Sequence, residues 1–204
     1  MTNYIERKTR HVGTLTTAEQ RALLVVSGKH RDTIRDHIIF SMALATGLRV
    51  HEITALNMGD IFEEDTPKQH VALHTYKTSN EDEKSQTIIL SPTLRRKLKE
   101  FYAWKKAQKE PLQTDMPLFL SQRKNRLSIR QVQTLFTQWQ KKAGFERHHA
   151  FHNLRHTACT NIYDQNKDIL LAQRFARHKS INYTMIYTHA SDEVMLRAVS
   201  ELRC

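Results

Sequence analysis

From residue 16 onward, apolar side chains recur every three or four positions, in blocks bounded by helix-start and helix-stop residues. Only one stretch departs from that rhythm. A chain patterned this way buries one stripe per helix, so it is confined to helix-on-helix packing with room for little sheet. Thr16-x-x-Glu19 reads as a capping box opening a first helix, and Gly28 stands where that helix ends. A second helix is expected over about 31–46, with Ile34, Ile38, Ile39, Met42 and Ala45 as its apolar residues and Gly47 as its stop. A third begins near Arg49 and fades by Asn57. Ser91-Pro92 supplies an N-cap and a first-turn proline for a helix to about Ala107. Ser128-x-x-Gln131 is another capping box; Val132, Leu135, Phe136 and Trp139 follow at helical spacing, and Gly144 closes the helix. Further helices are expected at about 152–164, 168–177 and 191–202. The last carries Val194, Leu196, Ala198, Val199 and Leu202, with Ser191 as its cap.

The exception is the pair Val71–Tyr76 and Gln86–Leu90, short runs rich in β-branched residues on either side of a polar stretch from Lys77 to Ser85. They predict a hairpin with a long exposed loop. The expected fold is therefore mainly α with a small antiparallel β-sheet, an α+β protein. Residues 1–14 read as a flexible basic arm and 15–204 as one domain.

At 204 residues and 39% hydrophobic, the chain is long enough for one real core. No apolar run approaches the roughly 20 residues of a membrane span, and the polar N-terminus lacks a secretory signal, so a cytoplasmic location is expected. Cys159 and Cys204 form no CxxC pair and make a poor disulfide framework, which fits a reducing compartment. Lys and Arg outnumber Asp and Glu by 32 to 21, a formal charge of +11. Such a balance favours nucleic acid or another polyanion as partner over the simpler alternative that charge only keeps the protein soluble.

Four places carry residues suited to chemistry. Gly47 can take the left-handed backbone that ends one helix and leaves Arg49 at the start of the next, with Glu52 three residues on, on the same face. On spacing alone this is a surface ion pair. In His152-Asn153-Leu154-Arg155-His156, His152 and Arg155 share a helical face while Leu154 points to the core. An imidazole beside a permanently charged guanidinium suits a phosphate oxygen. His152 and His156 at i, i+4 also suit zinc, although no HExxH pattern is completed. Arg177-His178 follows the helix that starts near Asp168, and Tyr183, Tyr187 and His189 come within a dozen residues. Tyr183 and Tyr187 compete on local grounds for the role of nucleophile.

These stretches, in this order, resemble the catalytic domain of the tyrosine recombinase and phage integrase family. Thr46-Gly47-Leu48-Arg49 with Glu52 matches the family's first-arginine motif, and His152 to His156 matches its H-x-L-R-H motif without change. His178 matches a further histidine, and Thr184, Tyr187 and His189 match T-x-x-Y-x-H, which selects Tyr187 over Tyr183. The resemblance covers about residues 14–200 and implies the tyrosine recombinase catalytic-domain fold. It implies Arg49, Lys77, His152, Arg155, His178 and Tyr187 as catalytic, with Glu52 in support. Lys77 is the match to the family's hairpin lysine, and Lys84 across the same loop is a weaker one. In place of the family's usual Leu-Gly before the third-motif histidine stands Ala176-Arg177, so either Arg177 contacts DNA or the local turn differs.

The chemistry the resemblance implies is attack by the Tyr187 phenol on a DNA phosphodiester. It yields a 3′-phosphotyrosine and a 5′-hydroxyl, with Lys77 as general acid and no cofactor or metal. Double-stranded DNA is the expected partner, bound by a homo-oligomer, a tetramer on paired sites, with accessory DNA-bending proteins possible. Lys and Arg on the helices at 31–57 and 128–143 are expected to line the duplex. The 14 or so residues ahead of the catalytic region are too few for the family's separate N-terminal domain; the length resembles the single-domain bacterial invertases, and a piece of a two-domain integrase fits equally. The C-terminal segment 191–202 packs on its own domain or on a neighbouring subunit. A catalytically silent DNA-binding regulator on the same scaffold and a metal-dependent nuclease are the alternatives.

Overall fold

The structure, a computed structural model, describes residues 13–73, 86–187 and 199–200. Its chain order is α1 (Thr17–Ser27), a 3-10 turn (Arg31–Thr33), α2 (Ile34–Thr46), α3 (Val50–Ala55), α4 (Met58–Ile61), β1 (Phe62–Glu63) and β2 (Thr66–Pro67). Then come β3 (His70–Leu73), β4 (Gln86–Ile89), α5 (Pro92–Ala107), α6 (Ile129–Lys142), α7 (His152–Asn166) and α8 (Ile169–Ala176). Two 3-10 turns, Ile181–Tyr183 and Met185–Tyr187, follow. The chain forms two compact units, residues 1–158 and 159–204. Among the described residues no helix is long and apolar enough to cross a membrane.

The helix starts follow the capping chemistry. Thr16 Oγ1 accepts from the Glu19 N–H at 3.1 Å, and Glu19 Oε2 accepts from the Thr16 N–H at 2.7 Å. Ser128 and Gln131 make the same reciprocal pair, and Ser91 Oγ accepts from the Leu94 N–H with Pro92 in the first turn. Each such cap is worth about 1 kcal/mol.

Helix α2 is the centre of the first unit, packed against α1, α3 and α5. It is buried on more than its predicted stripe: Ile38, Ile39, Phe40, Met42 and Ala43 are all sealed from solvent, whereas Ala45 is exposed. A helix enclosed on most sides has no single apolar stripe, and Ala45 falls on its remaining open side. Asp36 is buried too, which is tolerable because Trp139 Nε1 donates to its Oδ2 at 3.0 Å and Arg35 pairs with its Oδ1 at 2.8 Å. Phe40, Phe136 and Phe151 make a continuous aromatic run through this core, with centroids 5.7 and 5.6 Å apart.

The β structure is two small sheets. Strands β3 and β4 pair antiparallel with His70 opposite Ile89 and Leu73 opposite Gln86, and Val71 and Leu73 face the core. The hairpin is as expected in its described part; Lys77, Lys84 and the rest of 74–85 lie outside the described residues. Strands β1 and β2 form a second, unforeseen hairpin, turned at Glu64 with φ 56°. Its Glu63-Glu64-Asp65-Thr66 sequence reads as a polar loop, but Phe62 anchors it by packing on Tyr102 at 5.0 Å. Of the helix expected at 191–202, only Val199 and Ser200 are described, as helical and exposed.

Candidate active site

Gly47 ends α2 with φ 61° and ψ 22°, the left-handed conformation its sequence position suggests. Arg49 then becomes the extended N-cap of α3, with φ −74° and ψ 155°. Glu52 grips that residue twice. Its Oε2 accepts from the Arg49 backbone N–H at 2.6 Å, and its Oε1 accepts from the guanidinium at 3.1 Å. The ion pair that spacing suggested does form, but Glu52 is mostly buried while a third of the Arg49 side chain stays open. One edge of the guanidinium is thus fixed and the rest faces outward.

Arg155, in the second turn of α7, is sealed from solvent. Its Nη1 donates to the Gly47 carbonyl oxygen. That bond ties the second arginine to the turn holding the first, across 108 residues of sequence. Leu154 is fully buried beside it, as its place on the helix implied. His152, at the start of α7, keeps an exposed edge. Desolvation of its ring, and then the positive charges of Arg155 and Arg49, hold its pKa below the ordinary imidazole value. His152 is therefore neutral at pH 7 and able to accept a proton. The His152 and His156 rings meet edge to face at 4.5 Å. Among the described residues no group of three His, Cys, Asp or Glu is arranged to hold a metal ion.

Three supports were not legible in the sequence. Arg126 donates through Nη1 to the carbonyls of Thr54, Ala55 and Leu56, closing the C-terminal end of α3. Glu19, besides capping α1, meets buried His149 at 3.2 Å, and Asn153 lies 3.3 Å from the other nitrogen of that ring. Leu15 N–H donates to Thr157 Oγ1 at 2.9 Å. The last two sets hold the start of α7 and the residues before it against α1 and Leu15, and no local pattern announces any of the three.

The second set of groups belongs to residues 159–204. Asp168 Oδ1 caps α8 by accepting from the Leu170 and Leu171 N–H groups. Arg177 ends the helix at φ 54° and ψ 44°, the conformation a glycine would take. The chain thus makes a left-handed turn here on a residue that carries a side chain. It delivers His178, whose N–H donates to the Gln173 carbonyl at 3.2 Å. His178 Nδ1 shares a 3.0 Å hydrogen bond with Thr184 Oγ1, and Thr184 is fully buried. Tyr187 is only 5% exposed and lies parallel to the His178 ring, 14° between planes and 6.2 Å between centroids. Tyr183 is 66% exposed and meets the same ring at an angle. The environments separate the two tyrosines that spacing left in competition. Lys77, the hairpin lysine of the expected set, and His189 lie outside the described residues.

The model of the phage integrase family matches residues 14–194. The chain belongs to the phage integrase family. Among curated relatives of this family member is a tyrosine recombinase XerC of Caldanaerobacter subterraneus subsp. tengcongensis, 32% identical over 195 residues, covering 94% of the chain and 51% of the relative. Another is the tyrosine recombinase XerC of Actinobacillus pleuropneumoniae serotype 7, 28% identical over 173 residues and covering 84% and 53%. The chain thus spans about half the length of the curated relatives it matches. Among solved structures it superposes on XerA recombinase with a TM-score of 0.74 at 23% identity, covering 94% of this chain and 66% of that one. It superposes on the catalytic domain of bacteriophage HP1 integrase with a TM-score of 0.60 at 20% identity, covering 93% and 94%. This phage integrase family member has the tyrosine recombinase catalytic-domain fold, mainly helical with small antiparallel sheets.

Proposed function

We propose that residues 15–204 form the catalytic domain of a site-specific DNA recombinase that breaks and rejoins strands through a 3′-phosphotyrosine at Tyr187. The observation that carries the reading is the Arg155–Gly47 bond, which fixes two guanidinium-bearing elements together beside a neutral imidazole. A phosphodiester under attack gathers negative charge on its non-bridging oxygens. Arg49 and Arg155 are always protonated and present forked donors that fit those oxygens. His178 adds a third donor.

The Tyr187 oxygen forms a bond to phosphorus as the bond to the 5′ oxygen breaks. In this reading the phenol proton passes to His152, and the leaving oxygen takes a proton from Lys77. A hydroxyl from another strand then displaces the tyrosine in the reverse sense, so the bond count is conserved without ATP. Glu52 acts through Arg49 as a positioning residue. Double-stranded DNA is the substrate, bound by a homo-oligomer in the cytoplasm, and the basic residues ahead of residue 15 act as an arm on the duplex. The XerH recombinase, a structural neighbour at TM-score 0.71 and 22% identity, is described bound to its difH substrate in a pre-cleavage complex. That supports DNA as the partner here.

The test is a nicked suicide duplex incubated with the protein in EDTA. A covalent protein–DNA adduct that is lost in Tyr187→Phe and kept in Tyr183→Phe is expected. DNA binding without an adduct from the unaltered protein favours the silent regulator, and cutting that requires metal favours the nuclease.

A further inference from the structure

A cavity of about 440 Å³ lies in the first unit, between the α1–α2 junction and α5. Its polar lining includes Lys29, Arg96 and Lys97 against a single carboxylate, Glu100. Glu100 is itself engaged by Arg96 at 3.2 Å. Lys97 is partly buried, and its Nζ donates to His37 Nε2 at 2.9 Å and to Ser41 Oγ at 3.1 Å. An ammonium has only protons to offer, so Nε2 of His37 must be the acceptor and the ring proton sits on Nδ1. That proton is donated to Ser27 Oγ at 3.0 Å, and Ser27 is fully buried. The imidazole is thereby held neutral: burial and the Lys97 charge pull its pKa down to about 4. Burial, followed by the Arg96 charge, also lowers the pKa of Lys97, with Glu100 working the other way.

The ammonium is thus partly withdrawn from water and hydrogen-bonded to neutral acceptors, with no carboxylate pairing it among the described residues. Buried charges in proteins are ordinarily paired. Here the cavity itself is the open direction, and cations gather around it. Ile34 and Ile38 of α2 and Trp104 of α5 supply its apolar lining. The Trp104 Nε1–H is buried without an acceptor among the described residues. A volume of this order suits a small organic molecule.

We propose that this cavity binds a phosphate monoester of nucleotide size, with the phosphate on Lys97, Arg96 and Lys29 and the planar body against Trp104. The phosphate comes either from a free nucleotide or from the 5′ end of a DNA strand. None of its lining residues is among the candidate active-site residues, and the proposal does not depend on their role.

The test is calorimetric titration of the full chain with AMP, alongside tryptophan emission. Saturable binding at one site per chain is expected, weakened about tenfold in Lys97→Met, since a hydrogen bond to a charged group contributes on that scale. Unfolding of Lys97→Met should need at least as much urea as the parent, because a poorly compensated charge is gone. Arg96→Gln, on the exposed rim, provides a second variant and should weaken AMP in the same direction. Competition with AMP by a 5′-phosphorylated duplex, but not by the same duplex lacking that phosphate, identifies a strand end as the source. Displacement by neither identifies a free nucleotide. No saturable heat up to about 10 mM AMP, or affinity unchanged in both variants, overturns the proposal.

Discussion

Thr184 is a threonine in the Tyr187 motif whose hydroxyl lies 3.0 Å from His178 Nδ1. Thr184→Val preserves the shape and removes that partner, leaving the imidazole unoriented. Adduct formation on the suicide duplex should fall roughly 10- to 100-fold with the unfolding midpoint little changed, measured by single-turnover quench. Arg177 poses the opposite case, since its left-handed backbone costs an ordinary side chain about 1 kcal/mol. Arg177→Gly should raise stability by up to about that amount in urea unfolding. His152 has a depressed pKa, so its neutral form persists below the usual imidazole range. If it accepts the Tyr187 proton, adduct formation should hold steady as pH falls through about 6.5 and decline only further down. A decline centred above 6.5 would contradict that role.

Among the elements, α3 and the start of α7 matter most, because each carries one of the candidate arginines. Helix α3 has six residues and little burial of its own, so its ends decide its position. Glu52 fixes one end and Arg126 the other. Arg126→Ala leaves three carbonyls to water and loosens the element that presents Arg49. The expected outcome is about 1–2 kcal/mol less stability together with weaker phosphate charge neutralisation, read as a raised Kd for duplex DNA. The first turns of α7 depend on the Glu19–His149 contact at 3.2 Å and the Leu15–Thr157 bond.

Across the whole molecule, His37 and Glu19 set two stages of acid sensitivity, with the depressed His152 adding to the first. His37 has a folded pKa of about 4 against an unfolded value near 6.5, so the unfolded chain binds a proton first as pH falls. The stability it contributes is intact above about 6.5 and is lost progressively down to about 4. Glu19 is pushed up by burial, but the bonds from Thr16, His149 and Arg147 outweigh that and bring it down to about 2. Its contribution is intact above about 4.5 and lost between there and about 2. Urea unfolding midpoints should therefore drop in two stages from pH 7, and His37→Gln should flatten only the first. Net charge acts at this scale too. With +11 on the chain, the affinity for duplex DNA should fall steeply with salt, linearly on logarithmic axes.

The amino-acid sequence alone placed the longer described helices, though not the one-turn α4, because caps and apolar spacing are local: Thr16, Ser91, Ser128, Gly47 and Gly144 act within one turn of themselves. Its motifs also carry the family resemblance that offers Arg49, Lys77, His152, Arg155, His178 and Tyr187, with Glu52, as candidates, because motif order survives as a linear pattern. It missed the β1–β2 hairpin, which is held by the distant Phe62–Tyr102 contact and not by strand-like residues. It misplaced Ala45, since which sides of α2 are covered depends on the helices packed around it. The bond from Arg155 to the Gly47 carbonyl, the Arg126 cap on α3 and the Lys97–His37–Ser27 chain join residues far apart in sequence. Only folding brings such groups within hydrogen-bond reach. Short-range interactions leave a trace in neighbouring letters, and long-range ones are decided when the core closes.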